Sequence, residues 1–388
     1  MRGLVSLRAR VGAESSHFAR AVAARHAEVL DLTLANPRAV GLGPSAETIK
    51  RVLAIVEGIP CSAEAMGMQR ARIAVARHLG LGDTAAARTM LTASTSEAYA
   101  FLFKLLADPG DEVLVPSPSY PLFDYLARYE DLRAVPYPLV YDGLWHIDLA
   151  ALEACITSRT RAIVVVAPNN PTGSLLSLAE IRALDSLGLP VLCDEVFAEY
   201  TIAPRGDACA SALQHAHASP WFVMGGTSKS LGLPEWKLGW TVLQGGLAAQ
   251  RDALWDALET IADTYLSVSG VAQEALPALL AEAPVVQQAI RDRLLENLSL
   301  IDAALRGSMV SRLHVEGGWS CILRLPALQD DEAWALSLLQ DAHVLVQPGY
   351  FYELGPAPHL VLSLLTPPDV MQHGIERLAA HVAAVSQH

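Results

Sequence analysis

Ala162-Ile-Val-Val-Val166-Ala167-Pro168-Asn169-Asn170-Pro171-Thr172-Gly173 is the stretch on which the fold is read. Ile163 to Val166 are β-branched, stiff at χ1 and suited to a pleated strand. A strand that is apolar on both faces needs cover on both sides, as in a central parallel strand. The run stops in prolines, asparagines and a glycine, a rigid turn at the strand's carboxyl end. Ligands of open α/β sheets bind at such ends. The same residues also make a plain turn, so the segment alone leaves both readings open.

Outward from this strand, Glu112 to Val115, Val191 to Cys193 and Trp221 to Met224 read as further buried strands. Helix-period segments lie between them: Ser96 to Leu106, Pro121 to Arg128 and Ser177 to Leu187. Such alternation means a parallel sheet with helices on both faces. From about residue 250 the pattern changes to long helices, Ala249 to Leu266 and Ala272 to Leu300. Strand candidates Ser320 to Leu325, Val344 to Val346 and Leu360 to Leu365 follow, then a helix from about Pro368. The expected fold class is α/β: a large domain with a mostly parallel sheet covered by helices, plus a smaller α+β domain. The expected division is 1–44 as an N-terminal segment joining the small domain, 45–275 as the large domain and 276–388 as the small one.

The 388 residues are 52% apolar and 18% charged, enough to bury a sizeable core and too apolar for a disordered chain. Acidic residues number 41 against 28 basic ones, a net charge of −13. That charge repels phosphate backbones and anionic lipid, so neither nucleic acid nor membrane is an expected partner. No apolar run approaches the roughly 18 residues of a membrane span. Cys61, Cys155, Cys193, Cys209 and Cys321 are scattered, without a CxxC pair, and fit a reducing cytoplasm. The 12 histidines do not cluster at ligand spacing, so no metal site is expected. Arg2, Arg8 and Arg10 interrupt the N-terminus, which reads as an amphipathic helix rather than a signal peptide.

The chemistry concentrates in Gly225-Gly226-Thr-Ser228-Lys229-Ser230-Leu-Gly232-Leu-Pro234-Glu-Trp-Lys237-Leu-Gly239-Trp240. Lys229 stands among small and hydroxylated residues just after an apolar strand. A buried lysine has a lowered pKa and a nucleophilic amine, the requirement for a Schiff base with an aldehyde. Lys237, eight residues on, would supply a compact charge for a phosphate. Upstream, Asp194 ends the strand Val191-Leu-Cys-Asp194. A carboxylate there costs desolvation unless a cation faces it. A protonated pyridine nitrogen is such a cation; a helix N-cap is the plainer use of the same residue.

Three motifs now stand in order: Asn169-Asn170-Pro171-Thr172-Gly173, then Asp194-Glu195-Val196, then Ser228-Lys229-Ser230. Their spacings are 24 residues (194 − 170) and 35 residues (229 − 194). In this the chain resembles the pyridoxal-phosphate-dependent aminotransferases of fold type I, class I/II, from about residue 30 to the C-terminus. The resemblance implies that Lys229 carries the cofactor and later moves the proton between Cα and the cofactor carbon. Asp194 would keep the ring nitrogen protonated, so that the ring is an electron sink. Asn170 would hydrogen-bond the phenolic oxygen, and Tyr120, in Pro116-Ser-Pro118-Ser-Tyr120-Pro121, would stack on the ring. Ser94, Thr95 and Ser96, in a loop entering a helix, would receive the phosphate together with Ser228 and Lys237. Gly67 and Arg72 match a stretch near the substrate entrance. The implied enzyme is a homodimer that moves an amino group between an amino acid or amine and a keto or aldehyde acceptor. A C–S β-lyase of the same fold and a catalytically silent homologue are the alternatives.

The departures from the family pattern bear on substrate and cofactor. Val361 stands in His359-Leu360-Val361-Leu362-Ser363 where similar aminotransferases place the arginine that grips the α-carboxylate. Either Arg38, beside Pro37 in a substrate-facing loop, Arg324 or a partner's arginine takes over, or the substrate has no α-carboxylate. Gly226 replaces a phosphate-binding serine and Lys237 an arginine, so looser cofactor binding is expected. Near Cys61 and Ser62 there is no tyrosine of the kind that reaches a neighbouring subunit's phosphate. Phe197 replaces a tyrosine that donates to the cofactor oxygen. Without that donor the phenolate is less stable and the imine pKa is higher. An absorbance titration is therefore expected to find the transition of the bound cofactor about one pH unit lower in Phe197→Tyr than in the parent chain. Coincident midpoints would remove Phe197 from the cofactor's side.

Overall fold

Strands of this chain end where their apolar alternation ends, and the ends define one edge. The computed structural model describes residues 6–9, 17–24, 28–54 and 63–387. After a short strand β1 (Leu30–Asp31) come the strands of the large sheet. They are β2 (Thr89–Thr92), β3 (Glu112–Ser117), β4 (Arg133–Tyr141), β5 (Trp145–Ile147), β6 (Thr160–Val166), β7 (Val191–Asp194), β8 (Pro220–Gly226) and β9 (Gly239–Gly245). Among the described residues the sheet order is β2-β9-β8-β7-β6-β3-β4-β5. The pairings from β8 through β7, β6 and β3 to β4 are parallel, and only β9 and β5 run the other way. The mostly parallel sheet is as expected from the two-faced apolar runs.

Two-residue periodicity splits each central strand between two cores. On β6, Ala162 and Val164 pack with the helices Thr95–Leu106 and Ala248–Tyr265. Ile163 and Val165 pack on the opposite face with Ile181 and Leu184 of the helix Leu178–Ser186. Phe222 and Met224 of β8 join the first core, Trp221 and Val223 the second. Parallel pairing brings the carboxyl ends of β2, β3, β6, β7 and β8 to one edge of the sheet.

The remaining strands are β10 (Ser311–Arg312), β11 (Ser320–Arg324), β12 (Val344–Leu345), β13 (Gln347–Pro348) and β14 (His359–Ser363). Four of them form an antiparallel sheet in the order β10-β11-β14-β13, while β12 pairs in parallel with β1. Thus the chain around Leu30 joins the small part. Cys321, Leu323, Leu360 and Leu362 face the long helices Ala283–Ala304 and Pro368–Val385. Ile322 and Val361 face the large domain.

The continuous helix expected over Ala272 to Leu300 is in fact two, Gly270–Ala281 and Ala283–Ala304. Pro284 forces the restart: it lacks an N–H, and its ring clashes with the preceding turn. The apolar clusters change hands at the same place, Ala283 packing with the large-domain helices and Val286 with the small sheet. A proposed domain junction between these residues follows the cores, a few residues beyond 275. Strand β4 escapes a sequence reading because Pro136 and Pro138 interrupt it.

Gly173 ties the two parts together. Its φ is +70°, and its carbonyl accepts from the Gly317 N–H at 3.0 Å. A Cβ at 173 would lie 2.6 Å from the Gly317 carbonyl oxygen and 3.0 Å from Val315 Cγ1. At Gly80, with φ +71°, an added methyl meets nothing within 4 Å. Gly80→Ala is therefore expected to cost only backbone strain, about 1 kcal/mol. Gly173→Ala adds a clash with backbone and is expected to cost at least twice that in denaturant unfolding. Equal losses would show that the contact with Gly317 does not matter.

Candidate active site

Lys229 lies in the helical turn Thr227–Ser230 directly after β8. The glycines before it are required by space: a Cβ at Gly225 would sit 2.5 Å from Trp240 Nε1, and one at Gly226 would sit 3.1 Å from the Leu238 carbonyl oxygen. A serine at 226 would sit tight against that backbone. Tyr200 donates to the Lys229 carbonyl at 2.6 Å and holds the turn. The Lys229 amine projects between aromatic faces, 5.0 Å from the Trp319 ring centre and 5.4 Å from that of Phe197. Burial lowers its pKa, opposed by the charge of Asp194. No direct ion pair joins the two among the described residues.

Asp194, at the end of β7, accepts from the Val196 N–H and from the Tyr99 hydroxyl, each at 3.1 Å. Burial pushes its carboxyl up to about 6, against the pull of those two donors and of Lys229. The turn after β6 divides its labour. Asn169 is structural: its amide donates to the Pro118 carbonyl at 3.1 Å and to Thr172 Oγ1 at 2.9 Å. Asn170 accepts from the Ser320 hydroxyl at 2.9 Å through Oδ1, which leaves its Nδ2 as the donor toward the cavity. The segment is thus both a turn and part of the cavity wall.

The helix Thr95–Leu106 starts at the end of β2. Ser94 is its N-cap, accepting from the Glu97 N–H at 3.1 Å, and Glu97 in turn accepts from the Ala93 N–H at 2.7 Å. Ser94 is therefore occupied within the helix start. Thr95 and Ser96, whose N–H groups open the helix, line the cavity instead.

These groups surround one cavity of about 460 Å³ between the large sheet's carboxyl edge and the small sheet. Asn170, Asp194, Phe197 and Lys229 line it, and so do Val361 and Tyr120, the last half-exposed. Other expected residues lie elsewhere. Ser228 is next to Lys229 but not on the cavity wall, and Lys237 is exposed, lining a separate cleft with Trp236 and Leu53. The Lys237 backbone is left-handed (φ +52°) and ends the short turn Pro234–Trp236. Arg38 pairs with Glu235 at 2.6 Å on the surface, while Pro37 packs against Gly232. Arg324 shares the face of Ser320 and Ile322 but stands at the far end of β11, exposed, 5.8 Å from the Tyr141 ring centre and off the cavity wall. Arg72 is structural, donating to the Gly67 and Ala86 carbonyls at 2.8 and 2.9 Å. Cys61 and Ser62 lie outside the described residues. Tyr352, from the aromatic run Tyr350-Phe351-Tyr352 that the sequence offers for the pocket or the core, lines the cavity, and so do Tyr99, Trp319 and Gln347, which no motif flagged. Of those three, Tyr99 alone carried a signal: a hydroxyl on the buried face of a helix needs a partner.

Behind Asp194, Glu195 accepts from the Ala212 N–H at 2.7 Å and the Ser211 hydroxyl at 2.6 Å. Burial pushes this carboxyl up to about 7. Ordinary carboxyls titrate near 4. Between about pH 4 and 7 the folded chain therefore holds protons that the unfolded chain has released. This contribution to stability is full at the acid end and is lost as pH rises through the window. Glu195→Gln, which keeps an oxygen for the Ala212 N–H, is expected to flatten the fall in thermal midpoint of the cofactor-free protein between pH 5 and pH 8. An unchanged slope would locate the titration in other groups.

No helix among the described residues is long and apolar enough to cross a membrane. A sequence profile of the family described as "Aminotransferase class I and II" matches residues 63–378. Nicotianamine aminotransferase A of Hordeum vulgare is 28% identical over 338 residues, 82% of this chain and 72% of that protein. An S-alkyl-thiohydroximate lyase of Arabidopsis thaliana is 30% identical over 306 residues, 74% of this chain and 64% of its own length. An alanine aminotransferase from Pyrococcus furiosus shares the fold, with a TM-score of 0.83 over 95% of each chain at 24% identity. On the span of the profile match, this chain belongs to the class I and II aminotransferases.

Proposed function

We propose that the cavity around Lys229 is the amino-transfer centre, that its cofactor is pyridoxal 5'-phosphate, and that its substrates are a small amine or amino acid and a carbonyl acceptor. The observation that carries this is a buried amine and a buried carboxylate facing one cavity without pairing to each other. Each needs a partner that water no longer supplies. A group with an aldehyde at one end of its ring and a basic nitrogen at the other satisfies both.

The donor set fits. Asp194 meets a protonated ring nitrogen, and Tyr99 and the Val196 N–H orient its carboxylate. Asn170 Nδ2 faces the phenolic oxygen, with Ser320 fixing the amide. The N–H groups and hydroxyls of Thr95 and Ser96 offer a helix N-terminus to the phosphate. The bound cofactor supplies an electron sink for the electrons of a breaking Cα–H bond. Lys229 holds it and, once displaced by substrate, is the base: with its pKa lowered by burial, the amine is neutral closer to neutral pH and able to move a proton. Phe197 and Trp319 exclude water from that amine. Tyr120 covers the open side.

The implied assembly is a homodimer in the cytoplasm, a compartment in keeping with the free thiols Cys155, Cys193, Cys209 and Cys321. The similar thiohydroximate lyase keeps C–S cleavage as the second reading.

Borohydride treatment of the cofactor-loaded protein is expected to fix the cofactor on Lys229, located by peptide mass. Lys229→Ala is expected to lose that label and at least 1,000-fold in activity, removing both nucleophile and base. Label on another residue, or none, defeats the proposal. Pyruvate release from a β-thio amino acid, in place of cofactor amination, would select the lyase.

A further inference from the structure

The cavity is lined by one basic side chain among the described residues, Lys229, and by no arginine. We infer that Gln347 recognises the substrate's second functional group, and that this group is a neutral hydrogen-bond acceptor (an alcohol, carbonyl or amide oxygen) rather than a carboxylate. This rests on the amino-transfer reading of the cavity and adds the substrate class to it.

The register of the small sheet carries the placement. β13 and β14 are antiparallel, with Gln347 directly opposite Val361, and both line the cavity. Side chains directly opposite each other on neighbouring strands share a face. Gln347 therefore flanks the position where Val361 offers only hydrocarbon.

Hydrogen bonding then fixes its polarity. The Tyr352 hydroxyl donates to Gln347 Oε1. The acceptor end of the amide is thereby taken, and Nε2 remains to donate. Two hydroxyls on the same wall already spend their protons: Ser320 donates to Asn170 Oδ1, and Ser363 donates to the Leu34 carbonyl. What those two can offer a ligand is lone pairs. The wall thus presents one amide donor flanked by acceptors, and Asp194 adds a carboxylate to the same cavity.

A substrate carboxylate would shed its water for neutral donors alone, Gln347 Nε2 and the unpartnered Trp319 indole N–H among them, and meet lone pairs beside Gln347, an unfavourable exchange. A neutral oxygen is matched by one amide N–H. A hydroxyl or amide on the same carbon has a proton to return to Ser320 or Ser363.

Three probes share one carbon frame: 2-amino-2-methylpropan-1-ol, 2-aminoisobutyramide and 2-aminoisobutyrate. None has a hydrogen on Cα, so none is turned over, and binding reads directly as a shift in the absorbance of the bound cofactor. The two neutral probes are expected to bind at least tenfold more tightly than the carboxylate. Gln347→Leu is expected to weaken the neutral probes about fivefold, the worth of one neutral hydrogen bond, and to leave the carboxylate unchanged. Val361→Arg is expected to tighten the carboxylate probe tenfold or more; if that variant does not fold, Gln347→Arg puts the guanidinium on the facing strand. A parent chain that binds the carboxylate as well as the neutral probes overturns the inference, as does a Gln347→Leu that weakens all three alike. An absorbance that responds to no amine would instead sink the amino-transfer reading itself, and this inference with it.

Discussion

Burial of two ionisable groups that do not pair with each other is the constraint on which this molecule is organised. Lys229 and Asp194 both lie where water is excluded, and each is pushed toward its neutral form. Folding alone does not gain from such an arrangement, since an apolar pair of similar volume would pack without the desolvation cost. The surroundings limit that cost only partly. Phe197 and Trp319 give the amine aromatic faces, and Tyr99 with the Val196 N–H gives the carboxylate two donors. On the proposed reading the rest of the compensation comes from the cofactor, which is why the pair reads as a candidate site and not as a flaw in the core.

The large sheet makes this arrangement stiff. Asp194 is in register with Met224 of the neighbouring strand, so the carboxylate and the turn that bears Lys229 are positioned by adjacent strands. Both strands are locked from above and below by separate apolar cores. Displacing the amine relative to the carboxylate would require sliding one parallel strand past another, breaking a ladder and two packed faces at once.

Legibility in the sequence followed the same physics. Two-faced apolar runs such as Ile163 to Val166 have one stable use, and strands β3, β6, β7 and β8 were readable from them. So was the candidate site at their carboxyl ends, because prolines, glycines and a lone aspartate stand out against apolar neighbours. What could not be read was whatever depends on long-range register or direction. Trp319 and Gln347 reach the cavity only through the pairing and placement of the small sheet, which no local pattern encodes. Arg324 illustrates the converse: it shares the strand face of Ser320, which lines the cavity, yet at the far end of the strand it lies exposed over Tyr141. Lys237 followed the motif in spacing but not in space, since it lines a separate cleft with Trp236 and Leu53. The break at Pro284 was readable and was outweighed by the length of the apolar periodicity around it.

Alternation on β14 separates stability from selectivity. Leu360, Leu362 and Leu364 point into the small domain's own core, between its sheet and its long helices. Val361 and Ser363 point to the cavity. A change at 360, 362 or 364 opens a void in a close-packed core and is penalised whatever the substrate. A change at 361 alters what the substrate meets, with the cavity beside it to take up a difference in volume. A valine in place of a guanidinium is therefore a change the fold tolerates at that face and would not tolerate one residue away. The same reasoning extends across the ladder to Gln347, which shares that face with Val361 and is held by Tyr352 from the far side. On the proposed reading, selectivity is a property of one face of one small sheet, and it can vary while the lysine, the aspartate and the strands that carry them stay as they are.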